Sequence, residues 1–292
     1  MLDLENKYIE LLLKMCLNFE KSKLLFISYD KSNKEFVEKI IKRAKELGVV
    51  DIKVDEEDIY LTKEKLLTLS DEEIKNDPYF DKSVWNEYAE KGSNFLMLDT
   101  EFPHILETVS PDKIALSRQI IRNSREIFRK KEINYEIPWC IAAVPNKIWA
   151  DELFPTEKDS YEKLFRIICD MCLVDTEDPI KSWIEYKEKS KELFEKLNNL
   201  KIKTLHYKNS LGTDLKIQMP KDYVWNSIAS EEEKDMFVNM PSYEIFSSPD
   251  YRKTEGIVYS SKPLVYAGKT IDKFWLRFKE GKVVDYDAQT GK

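Results

Sequence analysis

The chain has 292 residues, of which 42% are hydrophobic and 35% are charged, and its formal net charge is −7. This apolar content is enough for a large folded core, and the length corresponds to about two domains. The acidic balance does not favour binding to nucleic acid or to an anionic membrane surface. We find no membrane span and no signal peptide in the sequence. The four cysteines are irregularly spaced, which is typical of proteins in the reducing cytoplasm.

The first two-thirds of the chain alternate helix and strand patterns. Helices are predicted over residues 2–21, 34–47, 110–131, 157–174 and 179–199, and strands over residues 23–30, 49–54, 94–99 and 138–145. Helix-start signals support three of the helices: Asn33, Ser110 before Pro111, and Asp178 before Pro179. The order predicts an α/β domain over residues 1–199, with a mostly parallel sheet and helices on both faces.

From residue 200 the pattern changes to strand-like pieces joined by turn residues. These pieces are KIKTLHYKN, TDLKIQMP, EGIVYSS, KPLVYAG and KFWLRFKEGKVVDYD. We therefore place a domain boundary near Leu200 and predict a β-rich second domain over residues 200–292. The 7 glycines form neither GxGxxG nor GxxxxGK[ST], so the standard phosphate-binding loops are absent from the sequence.

Cysteine and histidine residues provide weak candidates for a metal or redox site. Cys169 and Cys172 match a CxxC motif, but they continue the apolar face of a predicted helix and no second pair accompanies them. We interpret them as buried core residues. His104 and His206 form no zinc-binding signature with each other. We interpret His206 as a structural residue and His104 as a turn residue that is either on the surface or hydrogen-bonded in the core.

Three acidic runs, at residues 55–60, 71–73 and 231–235, are alternative candidates for binding a hard metal ion. They lack the spacing of a calcium loop, and lysines flank them. We therefore interpret them as solvated loops or helix starts.

The segment NMPSYEIFSSPD, residues 239–250, contains an isolated carboxylate. Glu244 is the only charged residue between Phe237 and Pro249. In an extended chain, Glu244 points away from the side of Tyr243 and Ile245. A buried, unpaired carboxylate costs several kcal/mol or more, so we expect a partner. A basic side chain or a hydrogen-bond network ranks above a divalent metal on these residues alone.

Four ordered blocks resemble the thermophilic metalloprotease family of aminopeptidases, the group of aminopeptidase T, aminopeptidase S and PepS. They are PWCIAAVPNKIWADELFP, DPIKSWIEYKEKSKELFEKLNNLKIKTLHYKNSLGTDLKI, NMPSYEIFSSPD and EGIVYSSKPLVYAGKTIDKFWLRFKEGKVV. The family pattern Asn-x-Pro-x-x-Glu-(Val/Ile)-Phe-(Thr/Ser)-x-Pro fits residues 239–249. The resemblance is good from about residue 137 to 287 and weaker over residues 1–136.

The resemblance implies an N-terminal α/β domain followed by a β-rich α+β catalytic domain. It also implies removal of N-terminal residues from peptide substrates by two divalent metal ions, zinc, cobalt, manganese or magnesium, and a homodimer. The family's glutamate ligand corresponds to Glu244, which is the single site residue that we can transfer.

The family pattern continues with a Gly-Glu motif and with histidine and aspartate ligands, which we do not find before Lys292. One carboxylate cannot hold a catalytic metal ion, which needs about three protein ligands. We therefore expect residues 1–292 to be a truncated portion, with an incomplete catalytic domain, no bound metal and no activity alone. Glu244 is then expected to be paired, hydrogen-bonded or hydrated. The alternative is a non-catalytic relative that acts as a binding or assembly module.

Overall fold

A computed structural model describes residues 1–227, 237–266 and 268–292 of the chain. Two compact units are present. The first unit consists of Met1–Ile105, Val109–Tyr186 and Glu231–Tyr243, and the second of Leu106–Thr108, Lys187–Ser230 and Glu244–Lys292. The predicted domain boundary near Leu200 stays a prediction. Within the described residues, no helix is long and apolar enough to cross a membrane.

The described residues contain both parallel and antiparallel sheet. The strands are β1 (Leu24–Asp30), β2 (Asp51–Glu57), β3 (Asn94–Asp99), β4 (Trp139–Ala143), β5 (Thr204–Lys208), β6 (Asp214–Gln218), β7 (Asn226–Ser227), β8 (Asn239–Met240), β9 (Ile245–Phe246), β10 (Thr254–Tyr259), β11 (Leu264–Tyr266), β12 (Lys269–Ile271), β13 (Trp275–Lys279) and β14 (Lys282–Asp287). The helices are α1 (Leu2–Lys14), α2 (Lys34–Glu46), α3 (Ile59–Thr68), α4 (Asp71–Asn76), α5 (Val84–Glu90), α6 (Pro111–Ser124), α7 (Glu126–Ile133), α8 (Lys147–Leu153), α9 (Ser160–Met171) and α10 (Pro179–Asn199).

The first unit is built on a five-stranded sheet in the order β2-β1-β3-β4-β8, and every neighbouring pair in it is parallel. Phe26 of β1 lies beside Phe95 of β3 on one face, where both rings pack with Trp85 and Phe128 of the helices. Ile27, the next residue, is fully buried on the opposite face. Because both faces are buried, the predicted α/β domain with helices on both faces is confirmed.

Asparagine side chains bind the backbone where two predicted helices do not continue: the buried Asn94 at residues 18 and 22, and the half-buried Asn86 at residues 124 and 128. Asn94 accepts a hydrogen bond from the Asn18 amide (2.8 Å) and donates to the Ser22 carbonyl (2.9 Å), so α1 cannot continue to residue 21. Asn86 donates to the Ser124 carbonyl (2.8 Å) and accepts from the Phe128 amide (3.0 Å). These bonds divide the predicted helix 110–131 into α6 and α7.

A buried ion pair joins β2 to the segment before α5. The ammonium of Lys82 lies 2.9 Å from Asp55 and 3.3 Å from Glu57, and the Lys82 and Asp55 side chains are only 10% and 15% exposed. The Trp85 indole donates to the same Asp55 carboxylate at 2.8 Å. Burial lowers the pKa of Lys82, but the Glu57 and Asp55 charges outweigh this effect and raise it overall. Lys82 therefore remains charged at neutral pH.

We expect Asp55→Asn to lower the free energy of unfolding by about 3 kcal/mol, because the buried Lys82 ammonium then keeps only the half-exposed Glu57 as a counter-charge. Urea denaturation at pH 7 measures this loss. Glu90→Gln, an exposed position at the end of α5, is the control and should change stability by less than about 0.5 kcal/mol. Equal, small losses in both variants would show that the pair is not structural.

The second unit contains an antiparallel five-stranded sheet in the order β14-β13-β10-β6-β5. The two-stranded pairs β11–β12 and β7–β9 are also antiparallel. The predicted change from alternating helices and strands to a β-rich region is therefore confirmed. Gly256, in β10, has φ +114°, and a Cβ atom there would lie 2.1 Å from the Asp214 carbonyl oxygen of β6. The close approach of two strands thus requires glycine at this position.

We expect Gly256→Ala to lower the free energy of unfolding by about 1–3 kcal/mol, since both its φ angle and its clash with a backbone atom are unfavourable. Gly212→Ala is a matched control, with φ +104° but its nearest contact, at 3.1 Å, to the movable Tyr259 ring. Gly212→Ala should lower the free energy of unfolding clearly less than Gly256→Ala does. Thermal unfolding of the two variants compares their stabilities. An equal loss of stability would show that the close approach of β10 to β6 is not what requires glycine at position 256.

Candidate functional site

Glu244 lies in an exposed, irregular segment immediately before β9. Its side chain is solvent-exposed, and the neighbouring Tyr243 and Phe246 are 45% and 47% exposed. No hydrogen bond or ion pair to Glu244 is present within the described part of the chain. The carboxylate is therefore not buried, and its apolar neighbours Tyr243 and Phe246 are themselves largely exposed. Of the three expected states, hydration fits this geometry.

The residues before and after Glu244 make contacts within their own units. In the first unit, the Tyr243 hydroxyl donates to the Met171 carbonyl at 2.7 Å, and its ring packs against Trp183 and Tyr186. In the second unit, β9 pairs with β7 directly after Glu244. An exposed carboxylate without an ionic partner in the described residues is accessible to a cation from solvent.

A metal site needs more donors than this segment offers. Across residues 1–227, 237–266 and 268–292, no group of three or more histidine, cysteine, aspartate or glutamate side chains is arranged to hold a metal ion. Glu244 alone does not fit the dinuclear centre that the resemblance implies, since about three protein ligands per catalytic metal are the norm. The described residues therefore support one potential ligand and no complete metal centre.

The cysteines are buried core residues, as predicted. Cys16, Cys140, Cys169 and Cys172 are all free thiols with no exposed surface. Burial raises the pKa of the Cys169 thiol to about 12 and that of Cys172 also well above its ordinary value. Because the thiolate is the reactive and metal-binding form, these thiols are unsuited to either chemistry.

The two histidines make separate contacts with carboxylates. His206, in β5, lies 2.6 Å from Asp214 of β6, and Lys208 lies 3.0 Å from the same carboxylate. Hydrogen bonds from His206 and Lys208 lower the pKa of Asp214. His104 lies 3.5 Å from Glu152 in the first unit. These pairs fit the predicted structural role.

The acidic runs that the structure describes have structural roles. Residues 55–57 belong to β2, so the interpretation of this part as a loop or helix start is wrong. Asp58 accepts hydrogen bonds from two amides at the start of α3. Residues 71–73 form the first turn of α4, where Ser70 and Glu73 make a capping box. The third run, residues 231–235, lies outside the described residues.

Sequence reasoning missed a pair of carboxylates at the end of β3. Desolvation raises the pKa of Asp99, and desolvation together with the Asp99 charge raises the pKa of Glu101. Neither side chain has a hydrogen-bond or ionic partner in the described parts of the chain. Both are still open to solvent. The sequence signal was present, since NFLMLD predicts a buried strand that ends in an acid.

Neighbouring loops hold this pair in position. Asn146 donates to the Thr100 hydroxyl (2.9 Å) and to the Glu101 carbonyl (2.8 Å). Asn33, predicted to cap α2, instead donates to the Pro145 carbonyl at 2.8 Å and makes no side-chain cap. Asn33 is 3% exposed, and its Oδ1 has no hydrogen-bond partner in the described residues. A buried acceptor thus remains unsatisfied beside the loop that positions the carboxylates.

Comparison with known proteins places this chain among enzymes. Aminopeptidase PepS from Streptococcus thermophilus is 28% identical over 291 residues, which cover 98% of this chain and 70% of that protein. Aminopeptidase AmpS from Bacillus subtilis is 27% identical over 98% of this chain and 71% of its own length. Because the alignments run through nearly the whole chain, they do not support the predicted truncation.

The fold and the family agree with these relatives. The structure of wild-type AmpT from Thermus thermophilus matches with a TM-score of 0.87 at 22% identity, and the match covers 99% of this chain and 72% of AmpT. At this identity, the match establishes the fold. The sequence model of the thermophilic metalloproteases (M29) matches residues 3–292. The chain therefore belongs to the thermophilic metalloprotease (M29) family.

Proposed function

We propose that this protein is a metal-dependent aminopeptidase that releases N-terminal amino acids from peptides. The observation that carries the proposal is the family match over residues 3–292, together with relatives that are named aminopeptidases over 98% of this chain. We further propose two divalent metal ions per active site, a homodimer and a cytoplasmic location. The metal could be zinc, cobalt, manganese or magnesium.

We propose Glu244 as one metal ligand. Two observations support this proposal: Glu244 occupies the glutamate position of the family pattern, and its exposed carboxylate has no partner in the described chain. A paired carboxylate would have to release its partner before it could bind a metal. Glu244 has no such partner to release among the described residues, so a cation has only to displace water from it.

A second candidate function is a non-catalytic binding or assembly module. The observation in its favour is that the described residues contain one potential ligand and no three-donor group. For the same reason, we expect residues 1–292 alone to bind no stoichiometric zinc, cobalt or manganese. The two candidates differ in one respect that can be measured, which is turnover by the full product of the gene.

The full gene product should hydrolyse L-leucine p-nitroanilide when a divalent metal is present and should lose this activity in EDTA. N-acetyl-L-leucine p-nitroanilide is the matched control and should not be cleaved, because an aminopeptidase requires a free amine. Residues 1–292 alone serve as a second arm, for which we expect no turnover and no metal by elemental analysis. Absence of turnover by the full product with all four metals would favour the non-catalytic candidate.

In the full gene product, Glu244→Gln should weaken metal binding by more than about tenfold, since even changes beside a ligand cost about 10–100-fold. The amide keeps the shape but removes the charge. Metal affinity measured by competition with a chelator gives the result, with turnover as a second readout. Glu195→Gln, an exposed change in α10, is the control. Unchanged metal affinity in Glu244→Gln would remove Glu244 from the ligand set.

A further inference from the structure

The segment that begins with Glu244 makes several backbone contacts within the second unit. β9 starts one residue after Glu244 and pairs antiparallel with β7. Beside this pair of strands, the Ser247 hydroxyl donates to the Val224 carbonyl at 2.8 Å. Further along, the Asp250 amide donates to the carbonyl of Gln218, the last residue of β6, at 2.9 Å. All of these residues belong to the second unit, as Glu244 itself does.

The β7–β9 pair is too small to be stable by itself. Each strand has two residues, and no third strand pairs with them within residues 1–227, 237–266 and 268–292. Even a complete two-stranded hairpin is only marginally stable in water. The position of Glu244 in this unit therefore depends on what holds β7.

Asn198 holds β7 from the end of α10. Its Nδ2 donates to the Trp225 carbonyl at 3.2 Å, and its Oδ1 accepts from the Trp225 amide at 2.8 Å. Trp225 directly precedes β7. The side-chain amide offers the same donor and acceptor as a neighbouring strand would, so it satisfies both backbone groups of one residue.

Trp225 makes no comparable bond through its own side chain. Its indole Nε1 is buried and has no hydrogen-bond partner in the part of the chain that the structure describes. The same is true of the hydroxyl of Tyr223, whose ring lies 6.4 Å from the Trp225 ring, centroid to centroid. These two side chains therefore contribute packing, while Asn198 provides hydrogen bonds that set the place of the backbone.

We propose that Asn198 is a positioning residue for Glu244. It fixes Trp225 at the start of β7, and the pairing of β7 with β9 places the residue immediately before β9, which is Glu244. Asn198 acts through the two strands and forms no hydrogen bond with Glu244 in the described residues. A functional group loses precision when its supporting contacts are loosened. The consequence for peptide cleavage rests on the proposed function, whereas the positioning concerns the second unit alone.

Hydrogen exchange of the full gene product in EDTA, measured by mass spectrometry, tests the positioning without turnover. Asn198→Ala removes both hydrogen bonds, and Asn198→Asp keeps an acceptor for the Trp225 amide but has no donor for its carbonyl. Asn199→Ala is the matched control, because Asn199 is the exposed next residue at the end of α10. Peptides that cover residues 244–248 report on the Glu244 segment, and peptides from β13 report on the five-stranded sheet of the same unit.

We expect residues 244–248 to exchange about tenfold faster in Asn198→Ala, because two hydrogen bonds to one residue are lost. Asn198→Asp should recover part of the protection, and Asn199→Ala should exchange as the unmodified protein does. Exchange in β13 should be the same in all of these proteins. Unchanged exchange of residues 244–248 in Asn198→Ala would overturn the proposal. Equal acceleration in β13 would overturn it as well, since that result means a general loss of stability.

Turnover of L-leucine p-nitroanilide by the full gene product adds a functional readout. We expect Asn198→Ala to lower kcat by at least about tenfold with KM nearly unchanged, since a misplaced group acts mainly on the transition state. Asn198→Asp should restore part of the loss. An active enzyme whose kcat is unchanged in Asn198→Ala would contradict the proposal. If the unmodified product has no turnover, the proposed function fails, and the exchange measurement alone decides the role of Asn198.

Discussion

The parallel pairing of β1 with β3 is the constraint on which the first unit depends. The register places Phe26 beside Phe95, so one face of the sheet becomes an aromatic surface covered by Trp85 and Phe128. Exact side-by-side pairing is needed, since a shift by one residue would turn these rings to the opposite face. The same pairing brings the ends of both strands to one edge, which is where Asn33, Asp99 and Glu101 lie.

Charged groups in the first unit follow two opposite arrangements. Asp55 and Lys82 are nearly buried and neutralise each other, with the Trp85 indole completing the hydrogen bonding. Asp99 and Glu101 are partly exposed and lack any such partner in the described chain. The first arrangement is what a stable fold requires of buried charge. The second leaves its carboxylates uncompensated, so the two clusters differ although both contain carboxylates.

Local sequence signals predicted the bounds of a helix or strand correctly where no tertiary contact competed with them. The strand over residues 94–99 and the helix over residues 179–199 have the predicted bounds, because an apolar run or an Asp-Pro start defines each. The prediction of one continuous helix over residues 110–131 was wrong, because the chain breaks at Arg125. There the distant Asn86 binds the backbone on both sides of the break. No local pattern could reveal that contact.

For the candidate sites, too, the sequence shows the residue types but not their spatial neighbours. The family pattern singles out Glu244 as a candidate, but residue types around it, such as Phe246, do not show that it is exposed. Asp99 looked like an ordinary strand end, because a sequence does not show that a carboxylate lacks partners. Asn33 looked like a helix cap and instead binds Pro145, 112 residues away. Spatial neighbours, rather than residue types, distinguish these sites.

The central claim is that Glu244 binds a divalent metal in a member of the thermophilic metalloprotease family. Anomalous diffraction from zinc-soaked crystals of the full gene product tests it most directly. The account predicts an anomalous peak at about 2.0–2.2 Å from a Glu244 carboxylate oxygen, the usual zinc–oxygen distance. Zinc peaks in an active enzyme that leave Glu244 without metal would contradict it.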